Sequence, residues 1–95
     1  MAKPPYYVSR VPVLSTSHLS VATMGHLQSG PTENPFGTVA AYMEGVFLYL
    51  QTVLIPDGLP EDVLALCKWA RKSRCNWIRL DADGDLVDGL PVYDW

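Results

Sequence analysis

The stretch Thr38–Val53, TVAAYMEGVFLYLQTV, decides the fold. It is either one unbroken helix or two strands around a turn. β-Branched and aromatic side chains are stiff and pack well on a pleated surface. A glycine in the middle weakens a helix and punctuates a hairpin. The composition therefore favours a hairpin turning at Glu44-Gly45, with strands over 38–43 and 46–53. Strand side chains alternate, so Val46, Leu48 and Leu50 share one face, and Phe47, Tyr49 and Gln51 the other. Large apolar groups on both faces indicate a central strand or a face used for binding.

A lone hairpin is marginal in water and needs more strands or a helix against it. Downstream, Pro56-Asp57-Gly58 reads as a turn, and PEDVLALCKWARKS, from Pro60 to Ser73, is the clearest helix. Pro60 suits the first turn, Glu61 and Asp62 sit at the positive end of the helix dipole, and Lys68, Arg71, Lys72 and Arg74 crowd the negative end. Val63, Leu66, Cys67 and Ala70 share one face, with Leu64 and Trp69 on its borders. Each large side chain of that stripe contributes about 1.5–3 kcal/mol only when buried, so the helix needs a sheet to lie on.

Upstream, residues 29–37, SGPTENPFG, read as a loop. Before it a helix is expected from about Val21 to Gln28, capped by Ser20 and stapled by Leu19 against Met24. Gly25 weakens this helix and Gly30-Pro31 stops it. Tyr6–Leu14 is rich in strand formers, and Pro12 confines it to an edge or a bulge. Residues 1–5 are expected to be a flexible tail.

Past the second helix, Asn76–Ala82 alternates Trp77, Arg79 and Asp81 against Ile78, Leu80 and Ala82. Asp83-Gly84 is the dipeptide a type I′ hairpin turn prefers, so a last strand is expected from Asp85. The expected architecture is α+β in a single domain over 1–95. An antiparallel sheet of about five strands carries two helices on one face, in the order βαββαββ. This is a ferredoxin-like order with a hairpin partner added at its end.

The stretch DADGD, residues 81–85, also resembles half a calcium loop. An EF-hand loop needs oxygen ligands at positions 1, 3 and 5, glycine at 6 and glutamate at 12. Asp81, Asp83 and Asp85 fit, but Gly84 comes too early, and Leu86 and Val92 occupy the sixth and twelfth positions. The hairpin turn needs less. Cys67 and Cys75, with His18 and His26, lack the tight local pairing of zinc sites. No metal and no cofactor is expected.

The chain has 95 residues, 48% of them hydrophobic, and a net charge of −3. That suits one small folded domain. No basic cluster exceeds the helix surface Lys68, Arg71, Lys72 and Arg74, so direct nucleic-acid binding is not expected. No apolar run is long enough to span a membrane, and the N-terminus has no apolar signal region. A cytoplasmic chain with free thiols follows as the expectation. Nucleotide-binding loops and a nucleophile elbow are absent. Cys67 is expected on the core face. Cys75 has cationic neighbours that favour a thiolate, but a nucleophile also needs an oriented base. His18, ahead of a capped helix, is expected to bond local backbone.

The segments WIRLDADG and GLPVYDW, with STSHL at 15–19 and LPEDV at 59–63, resemble an uncharacterised bacterial small-protein family, domain of unknown function family 5983. Over roughly residues 13–95 the resemblance implies a small cytoplasmic protein carried on plasmids and other mobile elements, often near anti-restriction and other accessory genes. It supplies no catalytic residues.

The aromatics Trp69, Trp77, Tyr93 and Trp95 are many for so short a chain, and Tyr and Trp are enriched at interface hot spots. The functional expectation is a non-enzymatic protein-binding module. In its most concrete form it inhibits a host defence system, anti-CRISPR or anti-restriction, by docking on a protein or ribonucleoprotein with a basic surface. The contact residues would be Trp77, Asp81, Asp83, Asp85, Asp88, Tyr93, Asp94 and Trp95. The alternatives are a small enzyme using Cys75 or the aspartates, and a structural subunit of a homo-oligomer, a homodimer among them, joined through strands 38–53.

Overall fold

The hairpin forms, with its turn one residue earlier than expected. A computed structural model describes residues 6–95; the expected tail over 1–5 lies outside them. The elements are β1 (Val13–Ser15), a 3-10 turn (Thr16–His18), α1 (Val21–Ser29), β2 (Glu33–Asn34), β3 (Gly37–Tyr42), β4 (Gly45–Leu50), α2 (Glu61–Lys72) and β5 (Trp77–Asp81). Tyr42 pairs with Gly45, so the turn is Met43-Glu44. Gly45 does not serve the turn. It opens β4 directly against β5, where an added Cβ would run into the Leu80 carbonyl.

The five strands lie in the order β1-β5-β4-β3-β2. β2–β3, β3–β4 and β4–β5 are antiparallel, whereas β1 runs parallel to β5. The sheet is therefore mixed, which corrects the expected all-antiparallel ferredoxin-like arrangement, and the order βαββαββ is corrected on two further points. A short strand, β2, forms inside the stretch read as a loop. No strand follows β5. The type I′ turn is missing because neither Asp83 nor Gly84 has the positive φ it requires. Gly84 N–H bonds the Asp81 carbonyl at 3.0 Å, and Ser15 N–H then bonds the Asp85 carbonyl at 2.8 Å. The chain crosses towards β1 because both edges of β5 are already paired. Gly84 is needed at that crossing, where a side chain would meet the Leu14 carbonyl.

β1 begins immediately after Pro12. The Pro12 carbonyl still accepts from Arg79 N–H at 2.9 Å, but proline has no N–H to continue the ladder, so the strand read from Tyr6 is cut short.

Val39, Val46, Leu48, Leu50, Ile78 and Leu80 form the buried sheet face. Met24 and Leu27 of α1 and Val63, Leu66, Cys67 and Ala70 of α2 complete the same core, so both helices cover that face. Ser20 caps α1, its Oγ accepting from Thr23 N–H at 3.1 Å. α2 ends at Ser73 in a Schellman arrangement: Cys75 N–H bonds the Ala70 carbonyl at 3.0 Å and Arg74 N–H the Arg71 carbonyl at 3.2 Å. Arg74 holds the left-handed position, φ 57°, where glycine is usual.

Candidate functional site

Among the described residues no helix lies over the second sheet face. Alternation and register place Thr38, Ala40 and Tyr42 of β3, Phe47 and Tyr49 of β4, and Trp77, Arg79 and Asp81 of β5 on it. Its residues form rows across the strands. Thr38, Tyr49 and Trp77 make one, and Ala40, Phe47 and Arg79 the next.

In the first row the Tyr49 and Trp77 rings meet edge to face at 5.0 Å. Tyr49 stays 42% exposed. Beside the second row, Arg79 lies over the rings of Tyr42 and Phe47, at 5.2 Å and 5.6 Å. Its Nε donates to Tyr42 Oη at 2.8 Å and its Nη2 to Asp81 Oδ2 at 2.9 Å. Tyr42 Oη donates to the same oxygen at 2.6 Å, and Asp83 N–H to Asp81 Oδ1 at 2.9 Å.

This network sets the electrostatics. The Tyr42 hydroxyl, then the Asp83 N–H, hold the Asp81 carboxyl below its ordinary value, with Arg79 adding to them. Burial, then the Asp81 carboxylate, pushes the Tyr42 hydroxyl up. The hydrogen bond to Tyr42 contributes most to raising Arg79. A carboxyl depressed in the folded state stabilises the fold above its unfolded value near about pH 4. That contribution is lost as pH falls through the lower folded value. Asp81→Asn is expected to flatten the acid limb of stability against pH and leave its slope at neutral pH unchanged. Urea midpoints across the acid range check this, and an unaltered acid limb would refute it.

The eight residues expected to make one contact patch separate. Trp77 joins Tyr49 at one end of the open face. Asp81, about 13 Å further along β5 by strand rise, is buried in the network above. Asp83 and Asp85 are exposed on the crossing. Asp88, Tyr93, Asp94 and Trp95 belong to a tail clamped along the 17–19 turn: Tyr93 N–H bonds the Ser17 carbonyl and Trp95 Nε1–H the Leu19 carbonyl, both at 2.8 Å. The last hairpin, which was expected to carry the aspartates, does not form.

His18 holds this tail at both ring nitrogens. Nε2 accepts from Val87 N–H at 2.9 Å, and Nδ1 lies 2.8 Å from the Pro91 carbonyl. An N–H can only donate and a carbonyl only accept, so the ring is the neutral Nδ1–H form. His18 bonds backbone as expected, but that of a distant segment.

Burial raises both thiols above their ordinary value. Cys67 is fully buried, and burial pushes its thiol up to about 11. Burial also pushes up the Cys75 thiol. Among the described residues no three His, Cys, Asp or Glu side chains come together as a metal site, and no helix is long and apolar enough to cross a membrane.

Sequence reasoning missed Tyr42, Phe47, Tyr49 and Arg79 as a surface. Their signal was the second apolar face of β4 and the Trp77–Arg79–Asp81 alternation.

The family described as "Family of unknown function (DUF5983) C-terminal domain" matches residues 11–95. No curated protein and no solved structure matches the chain. Every element from β1 to the clamped tail falls inside the matched residues, and the chain belongs to the DUF5983 family.

Proposed function

We propose that the chain is a non-enzymatic binding module whose contact surface is the uncovered sheet face around Tyr49 and Trp77. One observation carries this: both helices cover one side of the sheet, while the other presents Tyr42, Phe47, Tyr49, Trp77 and Arg79 with no helix over them among the described residues. Tyrosine and tryptophan provide large contact area at low entropic cost, and with arginine they dominate interface hot spots. A docking role for the carboxylates is weakened by the burial of Asp81 and the clamping of the tail. An enzymatic role for Cys75 is weakened by its raised thiol.

The test is co-purification from the native host. A partner retained by the wild-type chain is expected to be lost on joint Tyr49→Ala and Trp77→Ala substitution. It is expected to be kept on joint Lys68→Ala and Lys72→Ala substitution on the solvent side of α2. The opposite pattern would move the contact to the helix layer and end the proposal.

A further inference from the structure

The Trp77 end of the open face differs in charge from the molecule as a whole. A groove of about 600 Å³ lies there, lined among others by Tyr7, Arg10, Tyr49, Arg74, Asn76 and Trp77. Among the described residues no carboxylate lines it, although the chain carries a net −3. The only salt bridge among the described residues is Arg79–Asp81, so Arg10 and Arg74 bring unpaired positive charge to the groove. Asn76 is already engaged, its Nδ2 donating to the Leu50 carbonyl at 3.2 Å.

Resting on the reading of this face as the contact surface, we infer that the groove and the adjoining sheet bind single-stranded nucleic acid, with Tyr49 and Trp77 stacking bases and Arg10 and Arg74 taking phosphates. Unpaired bases offer π faces that aromatic side chains accept whatever the sequence. A sheet that presents aromatics is a platform for them, whereas a duplex keeps its base faces stacked inside. The planar guanidinium matches phosphate bidentately. A purely apolar partner would leave the two arginines without a role; an anionic strand complements them. Arg74 also keeps a left-handed backbone, φ 57°, at the helix end where glycine would sit without strain. Such outliers gather at binding sites. The low total of basic residues counted against nucleic acid, but a strand meets the local charge of the groove.

The test is fluorescence anisotropy of a labelled oligothymidine of about ten nucleotides, with an oligouridine of equal length, a duplex and heparin as comparisons. Saturable binding to the single strands is expected, weakening with salt at a log–log slope of about −1.4 for two phosphate contacts. Tyr49→Ala and Trp77→Ala are each expected to weaken it roughly tenfold. Arg74→Gly is expected to reduce the salt slope by about 0.7 while leaving thermal stability equal or higher, which separates lost binding from lost folding. The inference is overturned if no strand binds, if the duplex binds as tightly, or if heparin binds equally and ignores Tyr49→Ala. If strands fail to bind while a co-purifying protein still depends on Tyr49 and Trp77, this inference falls and the open-face reading stands. If neither depends on them, both fall.

Discussion

His18→Ala is expected to destabilise the fold by about 3–5 kcal/mol and to release residues 86–95. His18 is 0% exposed, and its ring satisfies two backbone groups far away in the chain, Val87 N–H at 2.9 Å and the Pro91 carbonyl at 2.8 Å. Alanine leaves both without a partner, at about 1–3 kcal/mol each, and opens a cavity where the imidazole was. The Tyr93 and Trp95 contacts to Ser17 and Leu19 are seated on the same turn and loosen with it. Domains of this kind have only about 5–15 kcal/mol in total, so the variant falls close to the limit of folding. His18→Gln keeps one donor and one acceptor and should lose less. Urea unfolding and amide hydrogen exchange check both effects. A loss under about 1 kcal/mol, with exchange over 86–95 unchanged, would show that the ring is not the clasp.

Asp62→Ala is expected to cost about 2–3 kcal/mol. Asp62 is 3% exposed and ties the starts of the two helices together. Its Oδ2 accepts from Ser20 N–H at 2.9 Å, and its Oδ1 from Val63 N–H at 3.0 Å. From α2 it does for the α1 N-cap what the glutamate of a capping box does within one helix. Pro60, at the N-cap of α2, makes no side-chain capping bond, and Asp62 shares the first turn of α2 with Glu61, where both carboxylates meet the helix dipole. Asp62→Asn keeps an acceptor and should retain part of the stability. Equal midpoints for Asp62→Ala and the wild type would show that the tie contributes nothing.

Legibility followed the range of the forces. The Ser20 cap and α2 were readable because caps and amphipathic stripes are local. The α+β class followed from the 38–53 hairpin. The position of its turn did not, because Gly45 answers to the Leu80 carbonyl on a strand 35 residues later in the chain. Asp83-Gly84 carried a genuine local turn signal, and tertiary pairing overrode it: with β1 and β4 on both sides of β5, no edge was left for a returning strand. The candidate site was half visible. Alternation already put Phe47 and Tyr49 on one face of β4, and Trp77 and Arg79 on one face of β5. Only the register shows that Tyr49 opposes Trp77 and Phe47 opposes Arg79. Tyr7, Arg10 and Arg74 reach the same groove from separate segments, which no spacing rule connects. Nearness in sequence groups Trp77 with five aspartates, whereas the register puts Tyr49 beside it and leaves Asp81 at the far end of β5.

An amide NMR titration of the chain with its bound partner, the single strand or a co-purifying protein, asks most plainly which surface makes the contact. The largest shift changes are expected at Thr38, Phe47, Tyr49, Trp77 and Arg79, with Lys68 and Lys72 on α2 unmoved. Changes confined to the helix layer, with the Tyr49 and Trp77 amides unmoved, would mean that the uncovered sheet is not where this protein binds.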